Sequence, residues 1–257
     1  MSDLLIRLKT ASLLLIVMVL SLLYLPNSIL LLASLLLFSY ASYELLKVYN
    51  VRHKKLLFIL NFALMICWPF YSLFITLAVL MVMVSIFCML FYQSQNKNLL
   101  TTNISLGLSL VLLDAALFAL VNLSSKYGLS FVVIIWLAVA VVDAGGYFFG
   151  RAFGRHKFMP NISPKKTWEG LLGAAVVLGL ISIATPQLSL ALAMLILIMS
   201  VFGDLWFSFV KRSLKIKDYS NILPGHGGVV DRIDGLIFVL PVAAFACEMF
   251  AKIILVS

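Results

Sequence analysis

The chain has 257 residues, of which 63% are hydrophobic and only 11% are charged, and its mean hydropathy is +1.13. These values exclude an ordinary soluble domain and indicate an integral membrane protein that crosses the bilayer several times. The formal net charge is +9. Because no basic run is interleaved with aromatic residues, we expect no nucleic-acid partner.

Nine apolar runs are long enough, or nearly so, to cross a hydrocarbon core of about 30 Å as helices. The first follows a positive flank, as in a signal peptide, but YLPNSILLL offers no small-residue cleavage site, so we expect a retained helix. The predicted fold is all-α, a polytopic integral membrane protein with about nine transmembrane helices. The predicted spans are 11–25, 28–46, 56–72, 74–92, 105–122, 130–149, 170–186, 188–208 and 235–255.

The positions of the basic residues predict the orientation of these spans. If the N-terminus is cytoplasmic, all of the 19 Lys and Arg residues except Lys126 and Lys252 fall on the inner side. We therefore predict a cytoplasmic N-terminus. Most of the positive charge is then explained by topology and by contact with anionic lipid headgroups.

The two halves of the chain differ in composition. Twelve of the 14 glycines follow residue 140, and six of the ten acidic residues lie in and around the two large inner loops of the same half. We therefore predict an N-terminal transmembrane scaffold over 1–125 and a C-terminal working region over 126–257. The exception is Asp114, a lone carboxylate in the fifth span, for which a functional role and a packed, hydrogen-bonded role are equally open.

Cysteine gives no sign of a metal or redox site. The three cysteines, Cys67, Cys88 and Cys247, lie in predicted spans and lack metal-type spacing. We expect neither a disulfide nor zinc, and interpret them as apolar packing residues.

The first large inner loop contains the stretch SPKKTWEG. Ser163 suits a helix N-cap and Pro164 suits the first helical position, so we predict a helix that begins here. Its free N–H groups, with Lys165 and Lys166 beside them, would form an anion site for phosphate. The alternative is an ordinary capped helix with inward-facing lysines. Asp143, beside two glycines at the end of a span, needs a cation or donor nearby.

The second inner loop carries closely spaced carboxylates. Asp204 and Ser208 are four residues apart and share a helix face, and Asp231 and Asp234 are three apart and share another. If the eighth and ninth spans pack together, up to three carboxylates converge near the inner interface. Like charges that close need compensation, and hard oxygen ligands favour Mg²⁺.

The glycine-rich stretch PGHGGVVDRIDG follows in the same loop. Gly225, Gly227 and Gly228 allow close approach of the backbone to a ligand such as phosphate, and His226 is either a donor to phosphate or a plain loop residue. A basic run precedes this stretch and is either a solvated inner patch or a site for a polyanion. It consists of Lys211, Arg212, Lys215 and Lys217.

These residues together resemble the signature of the phosphatidate cytidylyltransferases, also called CDP-diacylglycerol synthases. The upstream stretches DAGGYFFGRAFGRHK and SPKKTWEG resemble the same family, and the resemblance covers roughly 143–236 closely. The ordered string of matching residues is Ser208, Lys211, Arg212, Lys217, Asp218, Pro224, His226, Gly227, Gly228, Asp231, Arg232 and Asp234.

The resemblance implies transfer of CMP from CTP to phosphatidic acid, with Mg²⁺ and a second cation such as K⁺. It also implies a homodimer in the bacterial inner membrane, with the active site facing the cytoplasm. The implied catalytic residues are Asp204, Asp231, Asp234 and Lys166, of which the three aspartates hold the metal. The candidate substrate contacts are Asp143, Ser163, Lys165, Thr167, Ser208, Lys211, Arg212, Lys217, Asp218, His226, Gly227, Gly228 and Arg232.

Two positions depart from the family pattern. Gly146 stands where many relatives carry Ala, and Phe207 stands where many carry an acid, which removes a possible ligand for a second cation. Three other functions are weighed. A CDP-alcohol phosphatidyltransferase lacks support, because DGLIFVLP does not carry its spaced aspartates. A CTP-using lipid kinase, or a cytidylyltransferase for another lipid phosphate, would differ in its products. A transporter would show transport without CTP turnover.

Overall fold

Seven α-helices and one two-stranded β-hairpin make up the residues that the computed structural model describes, which are 26–49, 54–66, 99–222 and 227–256. The hairpin pairs β1 with β2 in antiparallel fashion. The elements in chain order are α1 Asn27–Val48, α2 Lys54–Ile66, α3 Leu99–Tyr127, α4 Leu129–Phe153, β1 Lys157–Met159, β2 Ser163–Thr167, α5 Trp168–Ala184, α6 Leu190–Ser213 and α7 Val230–Val256.

Four of these helices are long and apolar enough to cross a membrane, and they coincide with four predicted spans. An α-helix satisfies all backbone hydrogen bonds within the segment, which hydrocarbon requires. Helix α5 is apolar but has only 17 residues. The predicted spans at 11–25 and 74–92 lie outside the described residues, so the count of nine stays a prediction. The four helices cover Ser28–Val48, Ile104–Tyr127, Leu129–Phe153 and Leu190–Ser213.

Helix α7 lies at the centre of the described bundle. It packs against α3 on one side and α6 on the other, and its Ile237, Phe238 and Val239 are fully buried. Helix α4 packs mainly on α5, whereas α1 packs on α3 and α2. The C-terminal ends of α4 and α6 and the N-terminal ends of α5 and α7 surround one region, which contains many of the charged residues of the second half of the chain.

Glycines let α4 and α5 approach almost backbone to backbone. A Cβ atom added to Gly170 would lie 2.6 Å from the carbonyl oxygen of Gly146, and one on Gly173 would lie 2.1 Å from the ring of Phe149. Small residues of this kind are typical of helix contacts in membranes, where van der Waals packing drives association. We call this contact between α4 and α5 the glycine seam.

The hairpin corrects the prediction of a helix that begins at Ser163 and Pro164. Ser163–Thr167 is a strand, and α5 begins at Trp168 with Thr167 as its N-cap, whose hydroxyl accepts from the Gly170 N–H at 3.2 Å. Thr167 and Ser163 are both suitable caps. Pairing of 163–167 with β1 decides between them, so the expectation of an all-α chain is also incomplete by one small hairpin.

Candidate active site

A cavity of about 370 Å³ lies between the hairpin, the C-terminal ends of α4 and α6 and the N-terminal ends of α5 and α7. Eleven of the residues predicted from the sequence line it, and they come from four separate elements and one connecting segment. The predicted residues that line it are Asp143, Ser163, Lys165, Lys166, Thr167, Asp204, Lys211, Asp218, Asp231, Arg232 and Asp234. The structure thus brings together most of the predicted site from both inner loops.

The remaining predicted residues do not line this cavity. Ser208 contacts it indirectly, since its hydroxyl donates to Asp204 Oδ1 at 3.2 Å. Arg212 and Lys217 are exposed and lie outside the lining. Gly227 and Gly228 lie behind it, and His226 falls outside the described residues.

Asp204 is held at the cavity wall by a lysine from the hairpin. Lys166 Nζ lies 2.6 Å from Asp204 Oδ2, and both side chains are partly exposed. Ser208, one turn further along α6, holds the other carboxylate oxygen. The predicted shared face of Asp204 and Ser208 is confirmed, and the contact joins β2 to α6 across the cavity.

Asp231 is more deeply buried than Asp204, with a side chain that is 3% exposed. Lys211 Nζ lies 2.6 Å from its Oδ1. The backbone N–H groups of Tyr219 and Gly228 each donate to its Oδ2 at 2.9 Å. Asp231 therefore organises the α6–α7 connection while it faces the cavity. Gly227, with φ of +82°, occupies the left-handed region that favours glycine.

Three further carboxylates line the cavity besides Asp204 and Asp231, namely those of Asp143, Asp218 and Asp234. The charges of Asp143 and Asp204 both act on Asp234, and Lys166 and Arg232 are the cations that act on Asp143. The cation that the sequence required near Asp143 is thus present. In total, five carboxylates and four cations line the cavity, which leaves a formal charge of −1. A polyanion would enter such a cavity only with an accompanying cation.

The cavity lining offers ligands of the type that a divalent metal binds. Carboxylate oxygens are the ligands that Mg²⁺ prefers, and crowding of like charges favours a cation between them. Within the described residues, no group of three or more His, Cys, Asp or Glu side chains is arranged to hold a metal ion. The described carboxylates thus fit a divalent metal by the chemistry of their oxygens but do not form a complete ligand set by themselves, and a metal at Asp204 or Asp231 would share its ligand with Lys166 or Lys211.

Phe207 does not face the cavity. It is fully buried, and its ring packs at steep angles against Tyr219 and Phe238. The Tyr219 hydroxyl donates to the Phe207 carbonyl oxygen at 3.2 Å, and burial raises the pKa of that hydroxyl well above its usual range. A residue at position 207 points into the core between α6 and α7, so the departure from the family pattern there leaves the cavity lining unchanged.

The hairpin is fixed to the start of α5 by contacts between Glu169 and His156. Glu169 accepts from the backbone N–H of His156 at 3.1 Å, and its Oε1 lies 2.6 Å from His156 Nδ1. The hydrogen bond of its own backbone N–H and that of the His156 side chain lower the pKa of Glu169 to about 2. These contacts hold β1 and β2 against the start of α5 and so position Lys165 and Lys166 at the cavity.

Glu44 is a buried acid of the site that sequence reasoning missed. It lies in α1 with 2% exposure, and its Oε2 accepts from the Val230 N–H at 2.9 Å. The available signal was a lone carboxylate at the inner end of an apolar run. Two aromatic residues of the lining were also missed, Tyr147 and Phe158.

Asp114 lies apart from the cavity lining. Asn61 Nδ2 donates to both of its carboxylate oxygens, at 3.0 and 2.8 Å, and both side chains are buried. Of the two roles left open by the sequence, this geometry favours the packed, hydrogen-bonded one.

Comparisons with known proteins agree with the geometry. A phosphatidate cytidylyltransferase of Bacillus subtilis is 41% identical over 135 residues, which cover 49% of this chain and 50% of that protein. One of Mycobacterium leprae is 41% identical over 142 residues, which cover 52% and 45%. One of Haemophilus influenzae is 40% identical over 128 residues, which cover 45% and 44%. The chain thus spans half or less of the length of these curated relatives in each alignment.

The match to a protein family is more extensive than any of these alignments. The model of the cytidylyltransferase family matches residues 5–250, which is nearly the whole chain. The match therefore includes every element that surrounds the cavity as well as α1. This chain belongs to the cytidylyltransferase family.

Proposed function

We propose that this protein transfers CMP from CTP to phosphatidic acid and produces CDP-diacylglycerol and pyrophosphate for phospholipid synthesis. The observation that carries the proposal is the cavity itself, where cationic side chains and carboxylates from three helices, the hairpin and the α6–α7 connection meet at the ends of apolar helices. A water-soluble nucleotide and a membrane lipid can both reach such a position. The names of the relatives, phosphatidate cytidylyltransferases, support the same substrates.

The chemistry needs no protein nucleophile. A phosphate oxygen of phosphatidic acid attacks the α-phosphorus of CTP, and the bond from that phosphorus to the bridging oxygen of the β-phosphate breaks. The electron pair leaves with pyrophosphate. A phosphate monoester is already largely ionised at neutral pH, with a second pKa of about 6, so a strong general base is unnecessary. The protein contributes positioning and charge stabilisation.

The cations of the cavity have separate places in this proposal. Lys165 and Lys166 on β2 face the phosphates from the hairpin side, and Lys211 and Arg232 face them from α6 and α7. Lysine acts as a mobile point charge on phosphate oxygens. When a triphosphate enters, Lys166 and Lys211 can exchange their carboxylate partners for phosphate oxygens.

Magnesium is also part of the proposal, and K⁺ as a second cation with it. Asp204, Asp231 and Asp234 would contribute oxygen ligands to Mg²⁺, and phosphate oxygens of the substrate would complete the ligand set, since the described side chains are not by themselves arranged to hold a metal ion. When bound, the metal neutralises the negative charge of the triphosphate and of the departing pyrophosphate. The net formal charge of −1 on the lining supports a requirement for an added cation.

We further propose that the cavity faces the cytoplasm of a bacterial inner membrane and that the protein acts as a homodimer. The distribution of lysine and arginine supports the orientation. The exposed apolar face of α5 suits contact with lipid or with a second copy; it consists of Leu172, Val176, Leu180 and Ile183.

The proposal is tested with purified protein in detergent micelles that contain phosphatidic acid and Mg²⁺. CTP labelled at the α-phosphate should label the lipid product, whereas CTP labelled at the γ-phosphate should not. The Asp231→Ala variant should lose nearly all transfer, and the Glu248→Gln variant, altered at the far end of α7, should retain it. Label from the γ-phosphate would identify a lipid kinase instead. No transfer by folded protein from either nucleotide would reject the proposal.

A further inference from the structure

Glu44 is a residue of α1 whose side-chain hydrogen bonds, among the residues that the structure describes, reach the C-terminal half. Its carboxylate accepts from the backbone N–H of Val230 at 2.9 Å, from that of Val229 at 3.3 Å, and from the hydroxyl of Ser220. A buried carboxylate is costly unless donors satisfy it. Here the connection between α6 and α7 supplies these donors, so burial of Glu44 depends on the fold of that connection.

Glu44 and Asp231 bind the same connection through neighbouring residues. Asp231 takes the N–H groups of Tyr219 and Gly228, while Glu44 takes donors from the next residues along the chain, Ser220 and Val229. The two carboxylates thus hold the segments 219–220 and 228–229 of the connection together. The carboxylate of Glu44 lies beside the N-terminus of α7, where the helix dipole favours a negative charge.

Gly228 fits this arrangement for a steric reason. A Cβ atom at Gly228 would lie 2.5 Å from Glu44 Oε1 and 2.7 Å from its Cδ atom. What the backbone approaches closely at this glycine is therefore the Glu44 carboxylate. The same contact explains why a side chain at position 228 would push α1 away from α7.

We infer that Glu44 is a positioning residue of the active site. It fixes the first turn of α7 against α1, and this turn carries Asp231 and, one turn later, Asp234. The effect on catalysis rests on the proposed function, whereas the effect on the α6–α7 connection does not. Helix α1 therefore takes part in positioning the site and is not only a scaffold.

The first test compares Glu44→Gln with Glu248→Gln. Glu248 is a matched control, because it also joins two helices, through Lys126 at 2.8 Å and Asn122 at 3.1 Å, and it lies about 25 Å along α7 from Asp231. Hydrogen–deuterium exchange of peptides over 219–231 should quicken in Glu44→Gln and stay as in wild type in Glu248→Gln. Peptides over 190–205 should be unchanged in both.

The second readout is kinetic. In Glu44→Gln, kcat for CMP transfer should fall roughly 10- to 100-fold, because misplaced reacting groups lose rate more than binding. The KM for CTP should change less than kcat, since Lys165 and Lys166 are held by the hairpin, and of the proposed phosphate contacts only Arg232 lies on the turn that Glu44 fixes. A general loss of fold would instead lower the active fraction and leave kcat per folded molecule unchanged.

A double-mutant cycle tests the contact with Gly228. Gly228→Ala alone should lower kcat strongly, and in a Glu44→Ala background it should cost little more, because the space is then open. Additive effects, or wild-type exchange and kcat in Glu44→Gln, would overturn the inference. If wild-type protein transfers no CMP, the proposed function fails, and exchange over 219–231 still decides whether Glu44 holds this segment.

Discussion

Asp114 and Asp204 are both carboxylates on apolar helices, yet their surroundings differ. Asp114 is 4% exposed, is bound by the neutral amide of Asn61 and does not line the described cavity. Asp204 is paired with Lys166 and opens onto a cavity that holds further carboxylates. The difference teaches that burial of an acid in a membrane segment is not enough to indicate chemistry. A cationic partner and a place in a cavity lining are the two features that distinguish Asp204 from Asp114.

The largest effect is expected from Asp204→Asn. The change keeps the shape of the side chain but removes the charge that Lys166 and a metal would meet, so CMP transfer should fall at least about 100-fold. Activity of the purified variant is measured beside its thermal unfolding in detergent. An active Asp204→Asn variant would break the distinction, because Asp204 would then be no more functional than Asp114.

A smaller effect is expected from Lys166→Met. Loss of the ammonium group should lower kcat/KM for CTP about 10- to 100-fold, since a charge-assisted contact to phosphate is lost. The matched control is Lys157→Met, on the other strand of the hairpin, where the lysine is exposed and does not line the cavity. Equal losses in the two variants would mean that general positive charge, and not this position, matters.

The different surroundings of Asp114 and Asp204 could be predicted only in part from the sequence. Hydropathy predicts the helices, and a four-residue spacing predicts the contact of Asp204 with Ser208, because both are local properties. The hairpin was missed because Ser163 and Thr167 are equally good helix caps, and pairing with β1 decides between them. Glu44 was missed because its partners lie some 180 residues away, as for Val230.

Phe207 illustrates another limit. Its place next to Ser208 in a family motif suggests the cavity, but the rotation of α6 is fixed by the packing of Phe207 on Tyr219 and Phe238. Such packing is set by the whole bundle and cannot be read from spacing alone.

Gly203→Ala should change stability more than chemistry. A Cβ atom at Gly203 would lie 2.5 Å from the carbonyl oxygen of Asp234, so α6 and α7 would be pushed apart beneath the carboxylates. Overpacking of this kind costs about 1–3 kcal/mol, which should appear as a lower unfolding temperature. Gly107→Ala is the control, since nothing lies within 4 Å of the added atom. An unaltered unfolding temperature in Gly203→Ala would show that the helices can separate freely.

The smallest effect on activity is expected from Asp114→Asn. The Asn61 amide can still donate to one oxygen, so CMP transfer should stay within about threefold of wild type, while stability falls by ~1 kcal/mol. Transfer and thermal unfolding are measured on the same preparation. A loss as large as that of Asp204→Asn would show that Asp114 takes part in the reaction and that its amide partner conceals a function.

The glycine seam restricts how a lipid can arrive. Where α4 and α5 touch through Gly146 and Gly170, no gap is wide enough for an acyl chain. A phospholipid that diffuses in the bilayer would therefore have to reach the cavity from another side. Leu171 of α5 and Val201 of α6 give the lining an apolar margin between those two helices. In the proposed reaction, lipid substrate and product would therefore enter and leave on the side of α5 that faces α6.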